Sequence, residues 1–364
     1  MKKKKELIIS LVLIAVLIAI LRVMEINISP QSKLAMLMTV LKKGSIYALV
    51  AVSMNLLNGF TGLFSLGQAG FMMIGAYTYA IFTIPADQRE MVYMYYDGGL
   101  IKFALPAICG ILLAGVFAAF FAFLIGIPVL RLKSDYLAIA TLGFAEIMRA
   151  LFQWDTLGPI TNGSNMLRSY PTPASASVIY PFVVSGICIA VIVLLINSTY
   201  GRAFKAIRDD EIAAEAMGIN LAHHKRIAFT VSSFFAGISG ALLAMFQTNV
   251  QAKSFNSAMT YEILLIVVIG GIGSVTGSVI SSFLFIACSE WLLRFLDEQH
   301  VIGDFTLPLM RSGFRKVVFA VIIMVIVLFF RQGIMGTREF SISGILKKLS
   351  GKSRKAGAEG GDTK

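Results

Sequence analysis

Chemistry in a protein needs acids, bases, nucleophiles or metal ligands held together, and this chain offers few. Its histidines are His223, His224 and His300. The first two are adjacent, beside Lys225-Arg226. Neighbouring side chains on a helix do not face each other, so they form no chelating pair. The charged residues inside apolar stretches are Glu146, Arg149, Glu262, Glu290 and Arg294. A lone charge at mid-membrane costs roughly 2.5–3.5 kcal/mol on insertion scales. Glu146 with Arg149, and Glu290 with Arg294, stand at spacings that let each pair offset its charge. A ladder of mid-membrane acids, the mark of proton-driven pumping, is missing. Gly351-Lys352-Ser353 looks like the end of a phosphate-binding loop, but Leu346 stands where the first glycine belongs. The sequence therefore shows no catalytic site, no metal site and no means of hydrolysing ATP. Cys109, Cys188 and Cys288 lie in apolar runs and read as small core residues, not as a disulfide framework.

What such sparse polar groups are set into is an apolar chain. Of 364 residues, 57% are hydrophobic and 14% charged. A soluble domain carries about 25% charged residues. The net charge of +12 lies in short stretches between apolar runs and at both ends. That is the positive-inside bias of a membrane protein, not a nucleic-acid surface. The apolar runs are continuous and not alternating, so they read as helices. The expectation is an all-α integral membrane protein with about ten spans: 7–24, 44–58, 66–84, 101–127, 136–153, 178–197, 227–248, 260–274, 277–296 and 314–331. Lys42-Lys43 hold the second span short, leaving 33–43 as an interfacial helix. Met1–Lys5 and the run Leu7–Leu21 resemble a secretory leader, but Leu21-Arg-Val-Met-Glu25 replaces a cleavage site, so an uncleaved first helix is expected. An even number of spans puts both termini in the cytoplasm, with Arg131, Lys133 and the loop 200–226. Arg311, Arg315 and Lys316 fall outside, against the charge rule. Residues 1–336 form the membrane domain. Residues 337–364 form a basic tail, expected to be disordered and to lie on anionic lipid.

Three segments interrupt the apolar pattern. The first runs from Asn58 to Gly70 and contains Gly59, Gly62 and Gly67; the second, Gly270-Gly-Ile-Gly-Ser-Val-Thr-Gly-Ser278, contains Gly271, Gly273 and Gly277. Each either lines a transport path or is a tight turn with small-residue packing. Gly273/Gly277 and Ala236/Gly240 have the spacing of close helix contacts. Both segments fall at the cytoplasmic ends of helix hairpins. The third is the long loop from Tyr200 to Asn220. Asp209 or Asp210 suits an N-cap, Glu211 the helix dipole and Gly218 the position just past the helix. A helix of about two turns is expected there. Ala213, Ala214 and Ala216 leave little bulk, so another backbone can approach closely.

These segments resemble a known family. Gly59-Phe-Thr-Gly-Leu-Phe-Ser-Leu-Gly-Gln-Ala-Gly-Phe-Met-Met-Ile-Gly-Ala-Tyr77 is similar to the first-half signature of branched-chain amino-acid ABC permeases. Gly201–Gly218 resembles their cytoplasmic coupling loop, Gly270–Gly277 their second-half signature, and Thr161–Asn165 the outer-loop turn before the sixth span. The likeness spans about 45–335 and is nearest the LivM-type subunit, with its extra N-terminal span. It implies an importer permease fold with an internal pseudo-repeat, paired with a homologous permease. It also implies two cytoplasmic ATP-binding subunits, which bind the ATP, and an extracytoplasmic substrate-binding protein. Arg208, Asp209, Asp210, Glu211, Ala213, Ala214 and Gly218 would then form the coupling element. The general importer pattern is Glu-Ala-Ala, three residues, then Gly; here Ile212 stands at the Glu position and Glu211 one earlier. Leucine, isoleucine and valine are the expected substrates, with urea or short amides as the alternative. Asn55, Ser65 and Gln68 are candidates for lining the path. A stand-alone carrier would need no docking partner, and a membrane enzyme would need clustered catalytic side chains.

Overall fold

The computed structural model describes residues 16, 18–27, 35–132, 134–293, 301–302, 305–306, 318, 320, 321, 324, 333–336 and 339. The main helices, in chain order, are α1 (Ala35–Asn55), α2 (Gln68–Thr83), α3 (Ala107–Val129), α4 (Ser134–Gln153), α5 (Ile179–Ile196), α6 (Thr199–Asp209), α7 (Glu211–Ala216), α8 (Leu221–Gln247), α9 (Ser257–Gly270) and α10 (Val275–Ile286). Helix α1 runs on into a π turn, Leu56–Phe60, and α10 into another, Ala287–Leu292. Extended pairing among the described residues is slight: Val301–Ile302 against Phe305–Thr306, and one bridge between Leu167 and Val250.

Among the described residues, five helices are long and apolar enough to cross a membrane: Ala35–Phe60, Ala107–Val129, Ile179–Ile196, Leu221–Gln247 and Val275–Leu292. Two bent pairs, Gln68–Thr83 with Ala86–Val92 and Asp135–Gln153 with Asp155–Thr161, raise this to seven if each counts as one span. The protein is thus a multi-pass helical membrane protein. Each expected stretch from 44–58 to 277–296 carries a helix, although α9 has only 14 residues. The stretches 7–24 and 314–331 lie largely outside the described residues.

The start of α1 differs from expectation. It begins at Ala35 and passes through Lys42-Lys43 without a break, so residues 35–43 belong to α1 and not to a separate interfacial helix. Partners remove the obstacle. Lys42 Nζ donates to the Ser175 carbonyl at 2.5 Å, and Lys43 pairs with Glu290 at 2.5 Å. Glu290 is thus paired with Lys43; its expected partner Arg294 lies outside the described residues. Glu146 and Arg149 do pair, at 2.6 Å, and Ser257 Oγ donates to the same carboxylate at 2.7 Å.

Helix α8 is the centre of the bundle, packed by α1, α2 and α3. Small residues set its distance from the others. A Cβ on Gly75 would collide with the Gly237 carbonyl, and one on Gly240 with the Met72 carbonyl. With little hydrophobic drive between helices in lipid, such backbone contact is a principal source of association. Apolar side chains are left open on two helices: Leu112, Val116 and Phe120 on α3, and Ile187, Val191 and Leu194 on α5, are exposed. At the end of the bundle where α2 finishes, loops close over the core. Arg89, buried, donates to the carbonyls of Ile81 and Phe103, and Asn162, at φ +62°, donates to Val92 and Met166. This places the Thr161–Asn165 turn in a loop layer across the bundle from the glycine segments.

Candidate functional site

The two glycine-rich segments, far apart in sequence, meet at the other end of the bundle. The π turn Leu56–Phe60 opens the end of α1 and leaves backbone oxygens to be used locally. Leu56 O accepts from Thr61 Oγ1 at 3.0 Å, and Leu57 O from Leu63 N at 3.1 Å. Just before it, the Asn55 side chain reaches across to the turn between α9 and α10. Its Oδ1 accepts from Gly273 N at 2.8 Å; its Nδ2 donates to Ser274 O at 2.9 Å and to Ser278 Oγ at 2.8 Å. An amide offers two donor hydrogens and two acceptor lone pairs, so these bonds use both donors and one of the lone pairs. Asn55 is wholly buried. It is a clamp between the two halves of the chain.

Glycine is what permits the approach. A Cβ on Gly59 would fall 2.5 Å from Gly273 N. Gly271 and Gly273 adopt φ of +114° and +90°, a region that side chains other than glycine rarely enter. Gly270 lies against the backbone of Gly277, and Gly271 against that of Gly336. Met335 N donates to Gly270 O at 3.2 Å. Glu339 follows, and its carboxylate accepts from Val275 N at 2.6 Å and from Thr276 Oγ1 at 2.8 Å, capping α10. Glu339 belongs to the stretch expected as tail; residues 337, 338 and 340–364 lie outside the described residues.

The remaining members of the first segment turn toward α4 and α8. Ser65 N donates to Asn58 Oδ1 at 3.2 Å, closing a turn, and Gly67 rests against Thr141 of α4. Gln68 Nε2 donates to Ser232 Oγ at 2.8 Å, and Ser232 passes the bond to Ser53 O at 2.6 Å. Asn55, Ser65 and Gln68 thus bond to different partners. All three are buried, and only Gln68 keeps an unpaired acceptor, its Oε1.

The long loop folds into two helices where a single one was expected. Helix α6 buries Gly201, Phe204 and Ile207, with Arg202 and Asp209 exposed. That spacing of three was legible in the sequence and marks the missed helix. The backbone then extends at Asp210 (φ −160°, ψ 112°) and starts α7. Asp210 is the cap: its Oδ1 accepts from Ile212 N at 2.9 Å and Ala213 N at 3.0 Å. Asp209 is committed elsewhere, to Arg208 at 2.8 Å. Glu211 pairs with Lys225 at 2.6 Å, tying α7 to α8. Gly218, at φ +83°, donates to Glu215 O while Ile219 N donates to Ala214 O, the double bond pattern that ends a helix on glycine. The resulting short helix shows Ile212 (82% exposed) and Met217 (83%) to the outside. Ala213 is exposed as well, whereas Ala214 (4%) faces the rest of the protein.

The cap gives a direct prediction. Asp210→Ala should cost α7 about 1 kcal/mol. Amide exchange at Ile212 and Ala213 should then quicken about fivefold, with α8 unchanged; unchanged exchange would show that tertiary contacts alone hold α7.

The comparisons with known proteins agree on one group. The chain is 34% identical over 289 residues to the high-affinity branched-chain amino acid transport system permease protein LivM of Escherichia coli (strain K12), an overlap of 71% of this chain and 63% of that protein. It thus spans less than two thirds of that relative's length, and the same holds for the LivM of Salmonella typhimurium. A probable branched-chain amino acid transport permease protein LivM of Methanocaldococcus jannaschii is 25% identical over 258 residues, covering 64% of this chain and 74% of that one. The LivH permease protein of Escherichia coli (strain K12) is 24% identical over 259 residues, covering 66% and 80%. No solved structure matches. The family model for the permease component of branched-chain amino acid transport systems matches residues 36–330, a stretch that holds both glycine segments, the Asn55 clamp and the α6–α7 loop, and the chain belongs to that family.

Proposed function

We propose that this chain is the transmembrane permease subunit of an ATP-driven importer that moves leucine, isoleucine and valine by alternating access. The observation that carries the reading is α7. It is a capped, glycine-terminated helix outside the spans, with Ile212 and Met217 almost fully exposed. Apolar side chains held rigidly on a short exposed helix suit a protein partner. We assign that partner as a cytoplasmic ATP-binding subunit, one of two in the complex. A homologous permease would complete the path, and an extracytoplasmic binding protein would deliver the substrate. The membrane domain would have ten spans in an internal pseudo-repeat, with both termini on the cytoplasmic face of a bacterial cell membrane. The charge distribution supports this orientation, since it puts α6 and α7 with their Lys and Arg residues inside. The substrate class is supported by the relatives, which are branched-chain amino acid transport permease proteins.

Uptake of labelled leucine and urea tests the reading in cells lacking this gene, with and without its restored expression. Leucine uptake should fall at least tenfold and return with the intact gene. Loss of urea uptake alone would move the substrate to amides, and no change in either would overturn the assignment.

A further inference from the structure

Helix α7 has little grip of its own on the spans. It buries Ala214 and ties Glu211 to Lys225. A partner that moves α7 must therefore act through what lies beside it, and the last turn of α6 is directly joined to it. There the side chain of Arg208 turns away from α7 and back toward the membrane helices. Its Nε and Nη2 donate to Asp209 Oδ1 at 3.0 and 2.8 Å, which fixes the guanidinium plane. Its Nη1 donates to the Gly59 carbonyl at 3.2 Å, inside the π turn that ends α1. A Cβ on Gly273 would stand 3.5 Å from the same nitrogen. The Gly62 backbone lies along the root of the side chain, where a Cβ would come within 3.1 Å of Arg208 Cγ and 3.2 Å of Cα. One turn earlier on α6, Lys205 Nζ sits over the Phe60 ring at 5.6 Å. So α6 holds the π turn at two points, and Asn55 joins that turn to the α9–α10 turn.

We infer that Arg208 is a positioning residue that transmits displacement of α7 to the paired glycine turns, and does not itself contact the ATP-binding subunit. The inference rests on the docking role proposed for α7. Arginine suits the task because its planar fork can hold the Asp209 carboxylate and the Gly59 carbonyl at once; lysine offers a flexible point charge and can hold only one of them well. Coupling between distant sites requires a physical element that both sites bias. The π turn is such an element, since its hydrogen bonding is already off the α-helical register.

The test uses the full complex, with its partner permease and ATP-binding subunits, reconstituted in vesicles. Arg208→Ala and Arg208→Lys are compared with the parent for retention of the ATP-binding subunits, ATP hydrolysis and labelled leucine uptake. Both variants should retain the subunits. Leucine moved per ATP hydrolysed should fall at least tenfold in R208A and about threefold or more in R208K. An unchanged ratio in the folded R208K complex would overturn the inference, and R208K answers this even if R208A does not fold. Loss of the subunits from R208K would put Arg208 on the docking face and overturn it too, while leaving the docking role of α7 intact. Ala213→Glu, measured alongside, tests that role separately: if its complex keeps the ATP-binding subunits, α7 is not the docking element, whatever Arg208 does.

Discussion

Asn55→Leu should insert into the membrane and yet retain less than a tenth of leucine uptake. Leucine fills nearly the same volume, so packing around α1 survives. What goes is the whole set of bonds from Asn55 to Gly273, Ser274 and Ser278. Gly273 N loses its buried acceptor, whereas Ser274 O keeps Ser278 N and Ser278 Oγ as donors. Each buried group left unmatched costs about 1–3 kcal/mol. Measured interhelical bonds in membranes average about 0.6 kcal/mol, so the loss per bond falls at or below the bottom of that range. Several bonds lost at one point still amount to about 2–4 kcal/mol. That loss is concentrated where α1 meets the α9–α10 turn, so the global bundle around α8 should persist while the glycine turns separate. Asn55→Asp should be no better, because a carboxylate would face the Ser274 carbonyl in place of a donor. Ser65→Ala is the contrast. It keeps the backbone bond from Ser65 N to Asn58 and loses only a 3.4 Å contact from Gly67 N, so uptake should stay within about twofold of the parent. Protease protection and detergent-extracted yield check insertion, and labelled uptake checks function. Parent-level uptake by N55L would show that the clamp is dispensable.

How much of this was legible in the sequence differs from element to element. The helices α1–α5 and α8–α10 follow from continuous apolar runs, because length and hydropathy are one-dimensional properties. The start of α1 did not, since Lys42-Lys43 look prohibitive until Ser175 and Glu290 are seen beside them. The same holds for the glycine segments. Their composition pointed equally to a transport path or to packing. That they pack on each other depends on a contact between residues 218 positions apart, which no local pattern encodes. Asn55 was a candidate for lining the path, and its bonding to Gly273 was invisible in the sequence. In the loop, the capping residues could be read directly, because caps are local. Asp209 and Asp210 are equivalent as sequence; Arg208 separates them by engaging the first and leaving the second to cap α7. Helix α6 was missed although Phe204 and Ile207 carry its periodicity, because the charged residues around them read as loop.

Ala213 and Ala214 show the same limit and supply the second large effect. As sequence they are interchangeable small residues of a docking helix. In the structure Ala213 is exposed and Ala214 is 4% exposed, turned toward the protein's own surface. Glutamate at the two positions should therefore fail in different ways. Ala213→Glu has open space, costs the helix little, and leaves the fold intact. It also sets a third carboxylate beside Glu211 and Glu215, next to the apolar pair Ile212 and Met217. An unpaired charge desolvated in that interface costs about 2–5 kcal/mol, which is roughly 30-fold to more than a thousandfold in affinity. The ATP-binding subunits should no longer co-purify, while membrane yield matches the parent. Ala214→Glu instead places a carboxylate under α7 against the chain itself. There the charge cannot be solvated without lifting the helix, so membrane yield and protease resistance of the loop should fall, and loss of the subunits would follow from that. Gly218→Trp gives a third signature. No atom lies within 4 Å of a Cβ there, so no clash arises, but φ of +83° strains any side-chain-bearing residue, by about 1–2 kcal/mol. The end of α7 should fray and docking weaken without loss of yield. If A213E retains the ATP-binding subunits at parent stoichiometry, the exposed face of α7 is not where they bind.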